Sequence, residues 1–170
     1  MVMGPDVASV ESTALGRPGA KVDRILHDGV TVEIGTSKLT ARLTPGHTPG
    51  CTTWLMDVPE SGRNLRAVIN GNPNVNPGYT LVGNKSYPQI AADYEKTFAV
   101  LLSLPVDLFL GAHGSYFDLK AKHEKIRARI GNMENPFIDP AGYKAYVTER
   151  RDAFRKEWQR QKQNPGSPAP

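Results

Sequence analysis

Three short stretches in which apolar and polar residues alternate, 22–26, 30–34 and 39–43, are parted only by the tight turn formers Asp28-Gly29 and Gly35-Thr36-Ser37. A period of two sends successive side chains to opposite faces, so these stretches read as short antiparallel strands of a meander. The alternation is imperfect in the first. Two further runs extend the pattern: 51–58, where Thr52, Thr53 and Trp54 are good strand formers, and 66–70. Then the period changes. Ile90, Tyr94, Phe98, Leu101 and Leu102 recur at helical spacing over 88–104, Pro105 stops that helix, and the apolar run 106–110 reads as a buried strand. Helices are expected over 119–130, closed by Gly131-Asn132, and over 140–161, where Tyr143, Tyr146, Val147, Phe154 and Trp158 form an inward stripe. The result is an α+β fold: one mostly antiparallel sheet covered by helices on one face. Something else must bury the other face.

A chain of 170 residues holds one domain with a real core. Residues 1–20 are expected to be irregular, 21–162 to form the domain, and 163–170 to be a disordered tail. The 39% apolar and 22% charged content excludes wholesale disorder. No apolar run is long enough to cross a bilayer, which argues against a membrane partner. The first ten residues show no basic region followed by an apolar one, so no signal peptide is visible and the compartment stays open. The net charge of +4 is carried by 144–162, with seven basic residues against three acidic ones. That distribution reads as a solvated helix face, and with no basic-aromatic motif elsewhere it argues against a nucleic-acid partner. The single Cys51 excludes an intrachain disulfide.

Two histidines stand out by context. His47 lies in Thr44-Pro45-Gly46-His47-Thr48-Pro49-Gly50, between two expected strands, and His113 lies in Gly111-Ala112-His113-Gly114, just after the buried strand. Glycines let the backbone turn sharply beside each ring, and the prolines stiffen the first corner. A neutral imidazole held on a rigid corner is a common zinc ligand. The alternative for either residue is a loop histidine satisfied by a local hydrogen bond. The long loop 72–87, rich in Asn, Pro and Gly, cannot be regular, and loops of that length inside a compact domain tend to be functional.

The run from Thr44 to Trp54 resembles the second metal-ligand motif of the metallo-β-lactamase superfamily, and Leu110-Gly111-Ala112-His113-Gly114-Ser115-Tyr116-Phe117 resembles its last. The stretches 76–84 and 135–143, with the basic helix that follows, are similar to the third subclass of those lactamases, whose zinc sites use histidines and aspartate without a cysteine. Four ordered blocks carry the resemblance over about 21–162. It implies that the chain is the C-terminal half of an αβ/βα sandwich. It implies two zinc ions in the complete site, with His47 a ligand of the first and His113 of the second, and Cys51 a small core residue and no ligand. It implies a β-lactam substrate, hydrolysed by a zinc-activated hydroxide. Asn72 and Asn74 stand in the region where that family places serines that help hold water and the substrate carboxylate, which makes them the candidate substrate-binding residues; the alternative is that both are turn residues beside Pro73 and Pro77. Complete members are expected in the periplasm or secreted.

One departure sets the expectation for activity. The family's first motif, His-x-His-x-Asp-His, which supplies two ligands to each metal, has no counterpart here. His27 and His123 read as surface residues, the latter beside Lys122, Glu124 and Lys125 on a solvated helix face. The isolated chain is therefore expected to be an incomplete, inactive part of a zinc-dependent β-lactam hydrolase. The alternatives are a non-catalytic half domain that pairs with a complementary N-terminal half or with itself, and another hydrolase of the superfamily, acting on thioesters, lactones or phosphoesters.

Overall fold

The structure, a computed structural model, describes residues 1–14, 16, 18–128 and 134–170. Five strands, β3 (Thr31–Ile34), β4 (Ser37–Leu43), β5 (Thr52–Glu60), β6 (Arg63–Asn70) and β7 (Leu108–Gly111), form one sheet in that order. Its first four strands are antiparallel and only β6 and β7 run parallel. The expected strands 51–58 and 66–70 prove longer and meet in a two-residue turn. Ser61 and Gly62 both take positive φ, 50° and 77°, the mirror-image turn whose twist matches that of the flanking strands. Glu60 then pairs with Arg63, and the register runs on to Trp54 opposite Ile69.

That register sorts the side chains. Leu55, Val68 and Phe109 lie abreast on one face, under α2 (Ile90–Ser103) and α4 (Pro140–Gln163). Tyr94, Phe98 and Leu101 of α2 and Tyr143, Val147 and Phe154 of α4 are all buried there. Phe109 meets Tyr143 edge-on at 5.2 Å, and Tyr94 stacks on Phe154 at 5.0 Å, so the helices bind each other as well as the sheet. Arg155 also grips Glu95 of α2 through two hydrogen bonds of 2.8 and 2.7 Å, which engages part of the α4 charge surplus.

On the opposite face Ala41, Trp54, Ile69 and Leu110 form one row, and Leu39, Met56, Ala67 and Leu108 the next. Met3 and Leu26 cover one end, and Phe137 and Ile138 pack against the other. Leu39, Trp54, Met56 and Ile69 remain half-buried between them, while Leu110, on the last strand, reaches round to pack against the helix-side core.

Two segments depart from expectation, and the end of a third cannot be compared. Residues 1–20 carry regular structure: β1 (Val2–Met3) pairs in parallel with β2 (Ile25–Leu26), and a short 3-10 turn leads into α1 (Val7–Glu11). Met3 is driven there by burial against Leu26, a long-range contact with no local periodicity to announce it. Helix α3 spans Leu119–Arg127, and the end expected at 130–132 lies outside the described residues. The expected disordered tail instead pairs with the long loop: Gly78 N–H donates to the Ala169 carbonyl at 2.7 Å and Ala169 N–H to that of Tyr79 at 2.9 Å. Ala169 is buried by this pairing, and Arg160 donates to the Pro168 carbonyl at 2.6 Å.

Candidate functional site

β4, β6 and β7 point the same way, so their C-terminal ends share one edge of the sheet. From that edge spring the corner 44–51, the loop 71–87 and the turn after Gly111. The corner is braced from three sides. Thr44 N–H donates to the Cys51 carbonyl at 2.8 Å, closing its base. Thr97 of α2 donates to the Pro45 carbonyl at 2.5 Å. The Asp6 carboxylate, from the N-terminal segment, accepts from Thr48 Oγ1 at 2.5 Å and from Gly50 N–H at 2.7 Å. Gly46 has φ +132°, and a Cβ there would lie 2.7 Å from the Tyr94 ring, so this position needs glycine for conformation and for space.

His47 is half-buried at the tip. Its Nε2 faces Asn72 Nδ2 at 3.1 Å, and because an amide nitrogen only donates, Nε2 is the acceptor. The proton therefore sits on Nδ1, which lies 3.4 Å from the Asn74 carbonyl and 3.3 Å from Tyr79 Oη. Tyr79 donates its own hydroxyl proton to the His47 carbonyl at 2.8 Å, and its ring stacks on the imidazole at 5.6 Å. Burial pushes the His47 pKa below 6.5, partly opposed by the Asn74 carbonyl and the Asp6 charge and reinforced by the charge of His113. The ring is neutral at physiological pH, the form that offers a lone pair.

His113 is close enough for its charge to reach His47, and it lies exposed with its ring edge-on to Tyr116 at 5.1 Å. Tyr116 Oη accepts from Asn74 Nδ2 at 3.0 Å, while Asn74 Oδ1 faces Arg150 Nη1 at 3.4 Å. Asn72, in turn, accepts the Asn74 N–H on its Oδ1 at 3.0 Å. The two asparagines thus link the two histidines, and both amides are engaged with protein groups. His27 and His123 are exposed and are not among the side chains bonded to His47. Cys51 is half-buried and braces the loop, its Sγ accepting from Asn72 N–H at 3.4 Å, and burial pushes its thiol pKa up, leaving it protonated.

Sequence reading missed Asp6, Tyr94, Tyr116, Tyr79 and Arg150 as parts of the site. Tyr79 had a signal, as the aromatic that closes Asn76-Pro77-Gly78 in a loop already marked as functional. Asp6 had none. A cavity of about 380 Å³ opens beside His47, lined by Tyr79, Thr80, Asn84, Lys85 and Tyr87. Among the described residues no three His, Cys, Asp or Glu side chains are grouped so as to hold a metal ion. A catalytic zinc takes three protein donors, so two imidazoles from this chain do not make up a zinc centre by themselves.

Comparison with solved structures decides the family. The chain superposes on native FEZ-1 metallo-β-lactamase from Legionella gormanii with a TM-score of 0.89 and 42% identity, covering 98% of this chain and 66% of that one. The chain belongs to the metallo-β-lactamase superfamily. BJP-1 of Bradyrhizobium japonicum, a subclass B3 metallo-β-lactamase, matches with TM-score 0.85 and 30% identity over 96% of this chain and 64% of its own. LRA-12, a class B3 di-zinc metallo-β-lactamase from an Alaskan soil metagenome, matches with 0.78 and 27% over 92% and 62%. No protein-family model matches the chain. The chain spans just under two thirds of the length of these solved relatives.

Proposed function

We propose that these 170 residues form one wall of a zinc-dependent β-lactam hydrolase centre. His47 and His113 each present one imidazole to it, and the remaining donors come from residues outside this chain. The observation that carries the reading is the pair of rings at one sheet edge, with His47 held neutral and its Nε2 lone pair directed toward the loop of β6. The likeness to lactamases, one of them di-zinc, supports zinc and a cyclic amide as the metal and substrate. Asn72, bonded to His47, and Asn74, bonded to the Tyr116 that packs on His113, are the groups that would meet a substrate carboxylate once released from their present partners. The half-buried apolar face of the sheet supports the second reading, a half domain that works only against a complementary partner or a second copy.

Zinc titration of the isolated chain, followed through the histidine ring resonances, tests the site. His47 and His113 should move together and well before His27 and His123; movement of the surface pair alone sinks the reading. The same chain should turn over no chromogenic cephalosporin at a useful rate. Hydrolysis that survives exhaustive purification and stops with a chelator would show the centre to be complete without outside donors.

A further inference from the structure

Helix α4 ends in a closed ring of hydrogen bonds that joins the tail to the loop 71–87. Gln161 is buried, and both the oxygen and the nitrogen of its amide are engaged. Its Oε1 accepts the Leu81 N–H at 2.6 Å, and its Nε2 donates to the Tyr79 carbonyl at 2.9 Å and to Glu157 Oε1 at 2.7 Å. Arg160 donates to that same Glu157 oxygen at 2.7 Å and reaches the Ser167 and Pro168 carbonyls at 3.1 and 2.6 Å. The ring closes at the Tyr79 carbonyl, which also accepts the Ala169 N–H at 2.9 Å. Two oxygens, Glu157 Oε1 and the Tyr79 carbonyl, are thus shared between the groups that hold the tail and the group that holds the loop.

Gly78 and Gly83 flank the held stretch at φ 85° and 72°, with nothing near either Cβ position, so the backbone turns there without a clash. Between them lie Tyr79 and Thr80, which line the cavity of about 380 Å³ beside the corner. We propose that the tail is a strap on the site loop. Residues 78–81 and 167–169 open and close as one unit, locked to α4 by Glu157, Arg160 and Gln161, and whatever displaces the tail loosens one wall of the cavity. The coupling stands without the zinc reading of the preceding subsection; its bearing on substrate access rests on that reading.

Amide hydrogen exchange, read residue by residue on the full-length wild type, Arg160→Ala and Gln161→Ala, tests the strap. In the wild type Gly78, Leu81 and Ala169 should show similar protection. Arg160 bonds to the tail and to Glu157, so Arg160→Ala should speed exchange at Ala169 about fivefold through the lost grip. Leu81 should speed up about threefold through the shared network, with Val68 in the sheet unchanged. Gln161→Ala leaves the acceptor of Ala169 in place, yet should speed that amide about threefold as well. Leu81 keeping its wild-type protection in Arg160→Ala would mean that the loop is held without the tail, and overturns the proposal. An equal rise at Val68 overturns it too, since the effect is then a loss of overall stability. Should Gln161→Ala fail to fold, the Arg160→Ala result decides alone.

Discussion

At Gly46 two requirements meet on one residue, a φ that L side chains rarely adopt and a space filled by the Tyr94 ring. Gly46→Ala should cost about 3 kcal/mol, since it adds overpacking to backbone strain. Urea denaturation measures this, and a loss below about 1 kcal/mol would mean that Tyr94 moves aside freely. Asp6 acts on the same corner from 42 positions away, through Thr48 Oγ1 and Gly50 N–H. Asp6→Ala removes two hydrogen bonds to an ionised acceptor and should destabilise by about 2 kcal/mol, with Asp6→Asn recovering part. The histidines were legible because glycine and proline bracket them locally, and backbone restriction is written in neighbouring residues. The partners that orient His47 were not. Asp6, Tyr94 and Tyr116 reach the site only once the chain has folded, and no spacing in the sequence marks contacts of that range.

Among the elements, α3 is tied to α4 by a partly buried ion pair. The helix was expected to turn a solvated face outward around His123, yet Lys122 is buried, 2.7 Å from Asp139 and 5.6 Å above the Phe109 ring. Asp139 also caps α4, accepting the Gly142 N–H at 2.8 Å. Burial alone would push its pKa up; Lys122 and that N–H outweigh burial and hold it below 3.8. Below the ordinary carboxylate range the unfolded chain thus takes up a proton before the folded one does. The contribution of Asp139 should be complete above pH 3.8 and vanish as pH falls through its folded pKa. Denaturation midpoints measured from pH 6 down to acid, for wild type and Asp139→Asn, should converge at the acid end. Asp139→Ala at neutral pH should cost about 3 kcal/mol, because it strands a buried ammonium and removes a cap. Strands and helices were legible through their periods of two and 3.6, as in β3 and α2. Lys122 was not, because a lysine buried by a partner on another helix looks in sequence like any surface lysine.

For the whole molecule, the sheet has one face sealed by α2 and α4 and the other covered only at its ends, with Trp54, Met56 and Ile69 half-buried between. The isolated chain should therefore self-associate, its sedimentation coefficient rising with concentration, and Leu39→Lys should shift the balance toward monomer. A wild-type chain that stays monomeric and unfolds cooperatively would show that β1, β2 and the 137–138 segment cover enough. The tail adds a different consequence. Ala169 is laced to Gly78 and Tyr79, and Tyr79 carries the ring stacked on His47, so the last residues bear on the imidazole through two backbone bonds and one aromatic contact. Any affinity handle or reporter fused behind Pro170 would tug on that lacing, whereas one placed ahead of Met1 spares it. Preparations that differ only in which end bears the handle should differ in the environment of a single ring.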